Sequence, residues 1–437
     1  MKHKIIMFLP YASTSGYGYR SYDLLRSIIQ LKENDWNYKI VSMRFGNSPQ
    51  RELDSSDPID QKILANTITQ EQAFQQGMFD LCIFSTVPSE LKEIRIAKYS
   101  INFSAIVEST LAPADIILGC NNINLTVCSS NHGANVLKST VYDQRDPQGN
   151  VIGQLKLTNP TEVLFEGIDT TKFDRKNKQE FNLDIPESFT FLISGMWLPG
   201  AFSGPHSHDR KHFGTMIKTF LETFKNTSNK PALILKVNSG NYSNIDQDYT
   251  KDRIDEIRST VQGDLPNIYL IHGLLSENEL IGLYQHDKVK CLLAASAEGW
   301  GRGPVEYMCA TSKPVIGTMY GGMGDYLKPE YTLTVPGTLQ PVHKSAANQF
   351  LLEESQIYYP DIKQLSAAML TVFNNYKEIE EKAKRQAHYI RTSFSLDRMT
   401  ERLDEILKKH VPEFPKVMQI KLPKLSEMKL PTLNKKD

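Results

Sequence analysis

Short apolar runs alternate with amphipathic segments along the first 165 residues. Runs at 5–9, 38–43, 81–85, 100–105, 126–129 and 162–165 have the length of buried strands. Between the first two, Tyr22, Leu24, Leu25, Ile28 and Ile29 recur at helical spacing and give a helix one buried stripe. Such alternation predicts a mostly parallel sheet covered on both faces, with its ligand crevice at the carboxyl ends of the strands. A charged stretch at 171–184 follows, and then the pattern restarts. Runs at 191–193, 232–237, 268–271, 291–294, 314–317 and 332–335 predict a second sheet of the same kind. Ser276 and Glu279 form a capping box ahead of Leu280, Leu283 and Tyr284. Residues 395–410 place Leu396, Met399, Leu403, Ile406 and Leu407 on one face, the mark of a surface helix docked on a neighbour.

This organisation divides the α/β chain into segments 1–178, 179–375, 376–410 and 411–437. At 437 residues the chain is too long for one hydrophobic core. Fifty Lys+Arg balance fifty Asp+Glu, so no global positive field points to nucleic acid, and only local patches remain for such a partner. One local excess is the tail, where six lysines and one acid lie between Lys416 and Lys436 in a Lys-Leu-Pro pattern that forbids a helix. It reads as a flexible tether or as a contact for an anion such as a phosphate backbone. The five cysteines form no CxxC pair, and the apolar run after Met1-Lys2-His3-Lys4 is too short for a signal peptide or a membrane anchor. The expectation is a cytoplasmic chain with buried free thiols and no transmembrane segment.

The most informative segment is Glu298-Gly299-Trp300-Gly301-Arg302-Gly303-Pro304-Val305-Glu306, between a buried strand and a helix. Gly299, Gly301 and Gly303 let the backbone turn sharply and approach a ligand, and the helix they open presents unpaired N–H groups. Glu298 and Glu306 bracket the turn, and a carboxylate can accept two hydroxyl hydrogen bonds, as a sugar or ribose diol requires. An ordinary Gly-rich strand–helix turn would carry the same residues. A second constellation is cationic: Arg210 and Lys211 at the start of a helix, and Lys236 at the end of a strand. Fixed cations converging on one crevice would stabilise a departing diphosphate without a metal; solvated surface basics are the plainer reading of the first two. Upstream, Gly16 and Gly18 lie in a Ser-Gly-Tyr stretch after the first strand, lacking the third glycine of a dinucleotide fingerprint. They read as a cleft loop of the first domain, and Glu108 could reach the same cleft. The spacing His206-x-His208-x3-His212 lacks a fourth ligand for zinc. Asp246-Gln247-Asp248 copies a metal-binding D-x-D but reads as a polar loop. No G-x-S-x-G supports hydrolase chemistry.

These residues resemble the retaining, nucleotide-sugar-dependent glycosyltransferases of the GT-B fold, in the family 4-like group. The Glu298…Glu306 stretch is similar to the group's E-x7-E donor motif, and Lys313-Pro314-Val315-Ile316-Gly317-Thr318…Gly321-Gly322 to the strand and Gly-Gly loop that follow it. Phe165-Glu166-Gly167-Ile168-Asp169-Thr170-Thr171-Lys172-Phe173 resembles its interdomain signature, with Glu166 in place of the usual Asn. Arg210, Lys211 and Lys236 occupy the places of its phosphate-binding basics, and Ile271-His272-Gly273 that of its nucleotide-flanking turn. Arg302-Gly303 departs from the usual apolar-Pro pair, and Tyr307 from a small residue.

The resemblance implies two facing Rossmann-like domains, with 1–178 on the acceptor side, 179–375 binding the nucleotide sugar, and helices in 376–410 crossing back to the first. Glu298 and the Gly299–Gly303 amides would hold the donor sugar, Glu306 the ribose, and Arg210, Lys211 and Lys236 the diphosphate, with His272 flanking the nucleotide and Arg302 offering a further donor. The donor is expected to be UDP-linked, the transferred group a hexosyl or pentosyl unit, with no cofactor and no metal. The acceptor is expected to be a polysaccharide or lipid-linked sugar. The alternatives are 5-hydroxymethylcytosine in DNA, as for bacteriophage-type DNA-modifying enzymes, and a catalytically silent module of GT-B shape.

Overall fold

Both series of apolar runs form six-stranded parallel sheets in the computed structural model, which describes residues 3–91, 95–105, 108–198, 209–240 and 242–414. The first contains β1 (His3–Leu9), β2 (Trp36–Ser42), β3 (Phe79–Phe84), β4 (Ala97–Ser104) and β5 (Leu125–Cys128), with β8 (Thr161–Val163) at one edge. Its helices are α1 (Gly16–Lys32), α2 (Pro58–Asn66), α3 (Gln70–Gln75), α4 (Ala114–Asn121) and α5 (Asn131–Ser139). An antiparallel ribbon of β6 (Val141–Arg145) and β7 (Val151–Lys156) precedes β8. The second sheet contains β9 (Thr190–Met196), β10 (Ala232–Asn238), β11 (Ile268–Leu270), β12 (Val289–Ala294), β13 (Val315–Gly317) and β14 (Leu333–Thr334). Around it lie α6 (Phe213–Phe224), α7 (Asn244–Ser259), α8 (Glu277–Gln285), α9 (Arg302–Thr311) and α10 (Met323–Tyr326). A second ribbon, β15 (Gly337–Pro341) with β16 (Gln356–Pro360), leads to α11 (Ile362–Asn374), α12 (Tyr376–Ser393) and α13 (Leu396–His410).

Strand alternation explains why both faces of the second sheet are covered. On β9, Phe191 and Ile193 point into one apolar cluster and Leu192 into the other; on β12, Cys291 and Leu293 oppose Leu292 in the same way. A strand apolar on both sides needs helices on both sides, and a parallel ladder joined by crossovers supplies them. The order in the second sheet is β11-β10-β9-β12-β13-β14, which reverses direction between β9 and β12. The first sheet runs β2-β1-β3-β4-β5-β8 and reverses between β1 and β3. Ligands of open parallel sheets bind outside the carboxyl ends of the strands at such switch points.

Between the sheets the chain passes through Gly167, where an added Cβ would stand 2.7 Å from the Met399 Cβ and 2.9 Å from the Leu396 Cα. Only glycine lets this strand of connector touch α13 so closely. Ile168 N–H donates to the Phe394 carbonyl and Leu396 N–H to the Ile168 carbonyl, pinning the connector to the turn between α12 and α13. Asp169 closes the next turn through Thr171 N and Lys172 N, and Phe173 is buried in the second domain's core. Gly167, Ile168, Asp169 and Phe173 of the interdomain signature therefore each have a packing or capping task.

The two last helices do different things. α12 stays with the second domain, where Ala387 and Ile390 pack beside α9 residues and Arg391 bonds the Cys309 carbonyl. α13 alone crosses to the first domain: Met399, Leu403, Ile406 and Leu407 join Leu24, Leu25, Ile28 and Ile29 of α1. Thr400 Oγ1 also donates to Ser27 Oγ at 2.8 Å, and Lys32 pairs with Asp404 at 2.9 Å. All five cysteines are buried free thiols. Among the described residues no helix is long and apolar enough to cross a membrane. The basic tail from 415 onward lies outside the described residues.

Because Leu403 is fully buried in this seam, Leu403→Ala is expected to lower unfolding free energy by about 2–5 kcal/mol in a urea titration. A loss below about 0.5 kcal/mol, the scale of an exposed position, would mean that α13 is not docked on α1.

Candidate functional site

At the switch point of the second sheet, β9 and β12 deliver opposite charges to one place. The chain leaving β9 returns through Asp209, whose carboxylate accepts from Phe213 N and Gly214 N and so caps α6. Arg210 and Lys211 are held in the turn just before that helix. Gly195, at φ 146°, lies so close to this turn that the Lys211 ammonium is 3.6 Å from where its Cβ would stand. Glu298 lies four residues beyond β12. Its Oε1 is 2.8 Å from Lys211 Nζ and its Oε2 is 4.0 Å from Arg210 Nη1. From the first domain, Glu108 pairs with the same guanidinium. Burial alone would raise the Glu298 carboxyl, but Lys211 and Arg210 outweigh it and hold it below the usual carboxylate range.

The loop that carries Glu298 is fixed on several sides. The Glu298 carbonyl accepts from Gly322 N at 2.7 Å, the Gly299 carbonyl from Ser129 Oγ at 3.3 Å, and the Gly301 carbonyl from Tyr326 Oη at 2.9 Å. Gly301 sits at φ 91° as the residue before α9, and no side chain caps the amides that follow. Gly303 borders open space, with nothing within 4 Å of an added Cβ.

One turn into α9 the charges are arranged differently from the sequence expectation. Arg302 does not project freely toward a ligand. Its Nη1 donates to Asp23 Oδ2 at 2.6 Å and its Nε to Glu306 Oε1 at 2.6 Å, so it bridges α1 of the first domain to the second Glu of the E-x7-E pair. All three side chains are at most 15% exposed. Burial raises the Glu306 carboxyl to about 7 even against Arg302, with Glu277 and Asp23 adding to the rise. Its Oε2 has no partner among the described residues.

Lys236 contacts neither group. It lies on β10 opposite Ser194 of β9, two residues before the strand ends, and its ammonium donates to the Gly273 carbonyl at 2.7 Å. Burial without a neighbouring acid lowers it to about 8. His272 is tied away from the opening: its Nε2 is 2.8 Å from Asp246 Oδ2, with both side chains at most 5% exposed. Asp246 itself is not in a loop. It occupies the first turn of α7 behind the Ser243 cap, which corrects the polar-loop reading. His206 and His208 lie outside the described residues, while His212 Nε2 is bonded to the Tyr358 carbonyl. Gly16 and Gly18 are in the first turn of α1, behind the Ser15 cap, rather than in a cleft loop. An added Cβ on Gly18 would stand 1.9 Å from the Ser13 carbonyl oxygen.

Sequence reasoning missed several residues that the fold brings to this seam. Asp23 and Arg20 of α1 are only 7% and 3% exposed. Thr110 exchanges two hydrogen bonds with Gln356 of the second ribbon, and Asn131 N donates to Asp325 Oδ2 at 2.8 Å. Tyr320 stacks on Tyr358 at 4.9 Å, with His132 edge-on to it at 4.7 Å. A groove of about 300 Å³ beside Trp36 and Tyr38 lies at the amino end of β2, away from these carboxyl-end groups.

No protein-family model matches the chain, and no curated protein matches its sequence. Solved structures do match in shape. HepE of Anabaena, in complex with UDP and glucose, aligns with a TM-score of 0.57 at 11% identity, over 93% of this chain and 100% of that one. Sucrose-phosphate synthase from Thermosynechococcus elongatus gives 0.58 at 11% identity, over 93% and 99%. A UDP-forming alpha,alpha-trehalose-phosphate synthase from Burkholderia xenovorans gives 0.57 at 11% identity, over 94% and 100%.

Removing Arg302 would leave Asp23 and Glu306 buried with no cation between them. Arg302→Met is therefore expected to lose about 3–5 kcal/mol of stability, and the added change Asp23→Asn to recover part of it, both read by chemical denaturation. A neutral Arg302→Met would show the bridge to be solvent-screened. With parallel sheets of this order and a terminal helix returning to the first domain, the chain has the GT-B fold.

Proposed function

We propose that the protein is a nucleotide-sugar-dependent glycosyltransferase. The observation that carries this reading is the meeting of Lys211, Arg210 and Glu298 at the β9/β12 switch point, beside the uncapped amides of α9. The likeness in shape to HepE with UDP and glucose, and to a UDP-forming synthase, supports the same reading and favours a UDP-linked donor.

In this reading the donor diphosphate replaces Glu108 and Glu298 as the counter-ion of Arg210 and Lys211, and Lys236 adds a third cation from β10. Glu298, released from its cations, accepts hydroxyl hydrogen bonds from the donor sugar. The free Oε2 of Glu306 takes a ribose hydroxyl, while Arg302 keeps the carboxylate oriented. As the bond between the anomeric carbon and the diphosphate oxygen breaks, its electron pair goes to the diphosphate. The cations are already in place and stabilise that growing charge in a site shielded from water. The acceptor hydroxyl then bonds to the same face of the sugar and passes its proton to a diphosphate oxygen, so configuration is retained. The acceptor is read as a saccharide hydroxyl, on a polysaccharide or a lipid-linked sugar, and the product as a glycoside.

Hydrolysis or transfer from UDP-glucose, followed by release of UDP in the presence of EDTA, tests this directly. Wild-type turnover should survive EDTA, and Lys211→Ala should raise the barrier by about 2–4 kcal/mol. Full dependence on added Mg²⁺ or Mn²⁺ would contradict the cationic clamp. An unchanged Lys211→Ala rate would return Lys211 to a structural role.

The pH dependence of UDP-glucose binding follows from two groups. Glu306, with its pKa raised to about 7, is neutral below that pH and becomes the stronger hydroxyl acceptor above it. Lys236, lowered to about 8, is cationic below that pH and is lost as a phosphate partner above it. Affinity is expected to rise through pH 7 and fall through pH 8, with Glu306→Gln flattening the rising limb. A monotonic profile in the wild type would disconnect one of these groups from the donor.

A further inference from the structure

Glu166 is a charged residue with no visible reason to be buried. It is 7% exposed, and among the described residues no donor reaches its carboxylate. Its position is fixed on both sides: the Phe165 ring faces Trp300 at 6.1 Å, and Gly167 is wedged against α13. Burial raises its carboxyl, with Arg20 and Arg302 opposing the rise and Asp23 and Glu298 adding to it. Glu166 therefore lies between α1 of the first domain and the Glu298–Arg302 loop of the second. Arg20 is in a matching condition. It is 3% exposed, its Nη2 donates to the Leu164 carbonyl at 3.3 Å, and its Nη1 has no partner among the described residues.

Arg20 Nη1 is a buried donor left without a partner among the described residues, which is costly unless a ligand or water meets it, and the Glu166 carboxylate close by, also without a donor among the described residues, is not bonded to it. An anion would satisfy Arg20 and be repelled by Glu166, and a cation the reverse. A neutral hydroxyl satisfies both, because it accepts from the guanidinium and donates to the carboxylate. Building on the glycosyltransferase reading, we propose that Arg20 and Glu166 form a hydroxyl-binding subsite for a sugar lodged in the interdomain cleft. The hydroxyl can come from the transferred sugar or from a saccharide acceptor. Glu166 is then a specificity residue, at the place where the resembling group has an amide.

Calorimetric titration of the full chain with UDP, with UDP-glucose, and with D-glucose in the presence and absence of UDP tests the subsite. Glu166→Met keeps the length of the side chain and removes both oxygens, and Glu166→Gln retains one acceptor. If the hydroxyl belongs to the donor, Glu166→Met should bind UDP normally and UDP-glucose at least tenfold more weakly. If it belongs to an acceptor, UDP-glucose binding should be unchanged and D-glucose binding tenfold weaker. Glu166→Gln should lie between Glu166→Met and wild type in either case. Because no hydrogen-bond donor among the described residues reaches this carboxylate, Glu166→Met should melt no lower than wild type, which a purely structural role would not allow. Equal affinities of Glu166→Met and wild type for both sugar ligands, no sugar-dependent binding by the wild type, or a markedly lower melting temperature for Glu166→Met would each overturn the subsite. Failure of the wild type to bind UDP would instead remove the donor reading, and D-glucose alone would still report on Arg20 and Glu166.

Discussion

Opposite charges confined where two sheets face each other organise this molecule. At the β9/β12 switch point, Lys211 and Arg210 neutralise Glu298, and Glu108 reaches across from the first domain to share Arg210. A turn further on, Arg302 joins Asp23 of the first domain to Glu306 of the second. Isolated charges at these depths would be expensive, so each depends on the others, and both networks span the cleft. Charge neutralisation in both networks therefore depends on how the two domains meet. A ligand that brings its own negative charge must replace carboxylates already present, which ties its binding to the relative position of the domains.

The fold supplies this arrangement through parallel strand geometry. Every crossover returns the chain to the same end of the sheet, so residues distant in sequence collect at the carboxyl ends. β9 brings Arg210 and Lys211, β12 brings Glu298 and α9, and β10 brings Lys236. The apolar content of the strands is spent wholly on the helices to either side, which leaves these ends polar. The α13 helix then holds the first domain through α1, the same helix that carries Arg20 and Asp23 toward the seam. Packing on the outer face of α1 and chemistry on its inner end are thus coupled through one rigid element.

The strands were readable, though not their order in the sheets, because a strand buried on both faces is a continuous apolar run, and all twelve runs fall on strands or at their ends. The two ribbons were not readable. β6, β7 and β15 are largely exposed, so no apolar pattern marks them, and they are held by partners rather than by a core. In the site, the Gly-rich turn and its flanking acids stood out by composition, and so did the basic pair before α6. Arg302 did not reveal its task because Asp23 is 279 positions away in the chain. Nothing local distinguishes an arginine that meets a phosphate from one that bridges two acids. The polar-loop reading of Asp246–Asp248 failed for a local reason that was available: Ser243, three residues before Asp246, is a helix cap. Glu166 was visible as a departure from the resembling group, but its lack of a partner is a property of the fold alone.

Cations at the end of the second sheet are proposed to hold a nucleotide diphosphate. Lys236 tests it most directly because, among the described residues, no acid pairs with its ammonium, which donates to the Gly273 carbonyl. In an equilibrium titration with UDP at pH 7, Lys236→Met should bind at least tenfold more weakly than the wild type, with the melting temperature unchanged or higher. Equal UDP affinity in the two proteins would contradict the account.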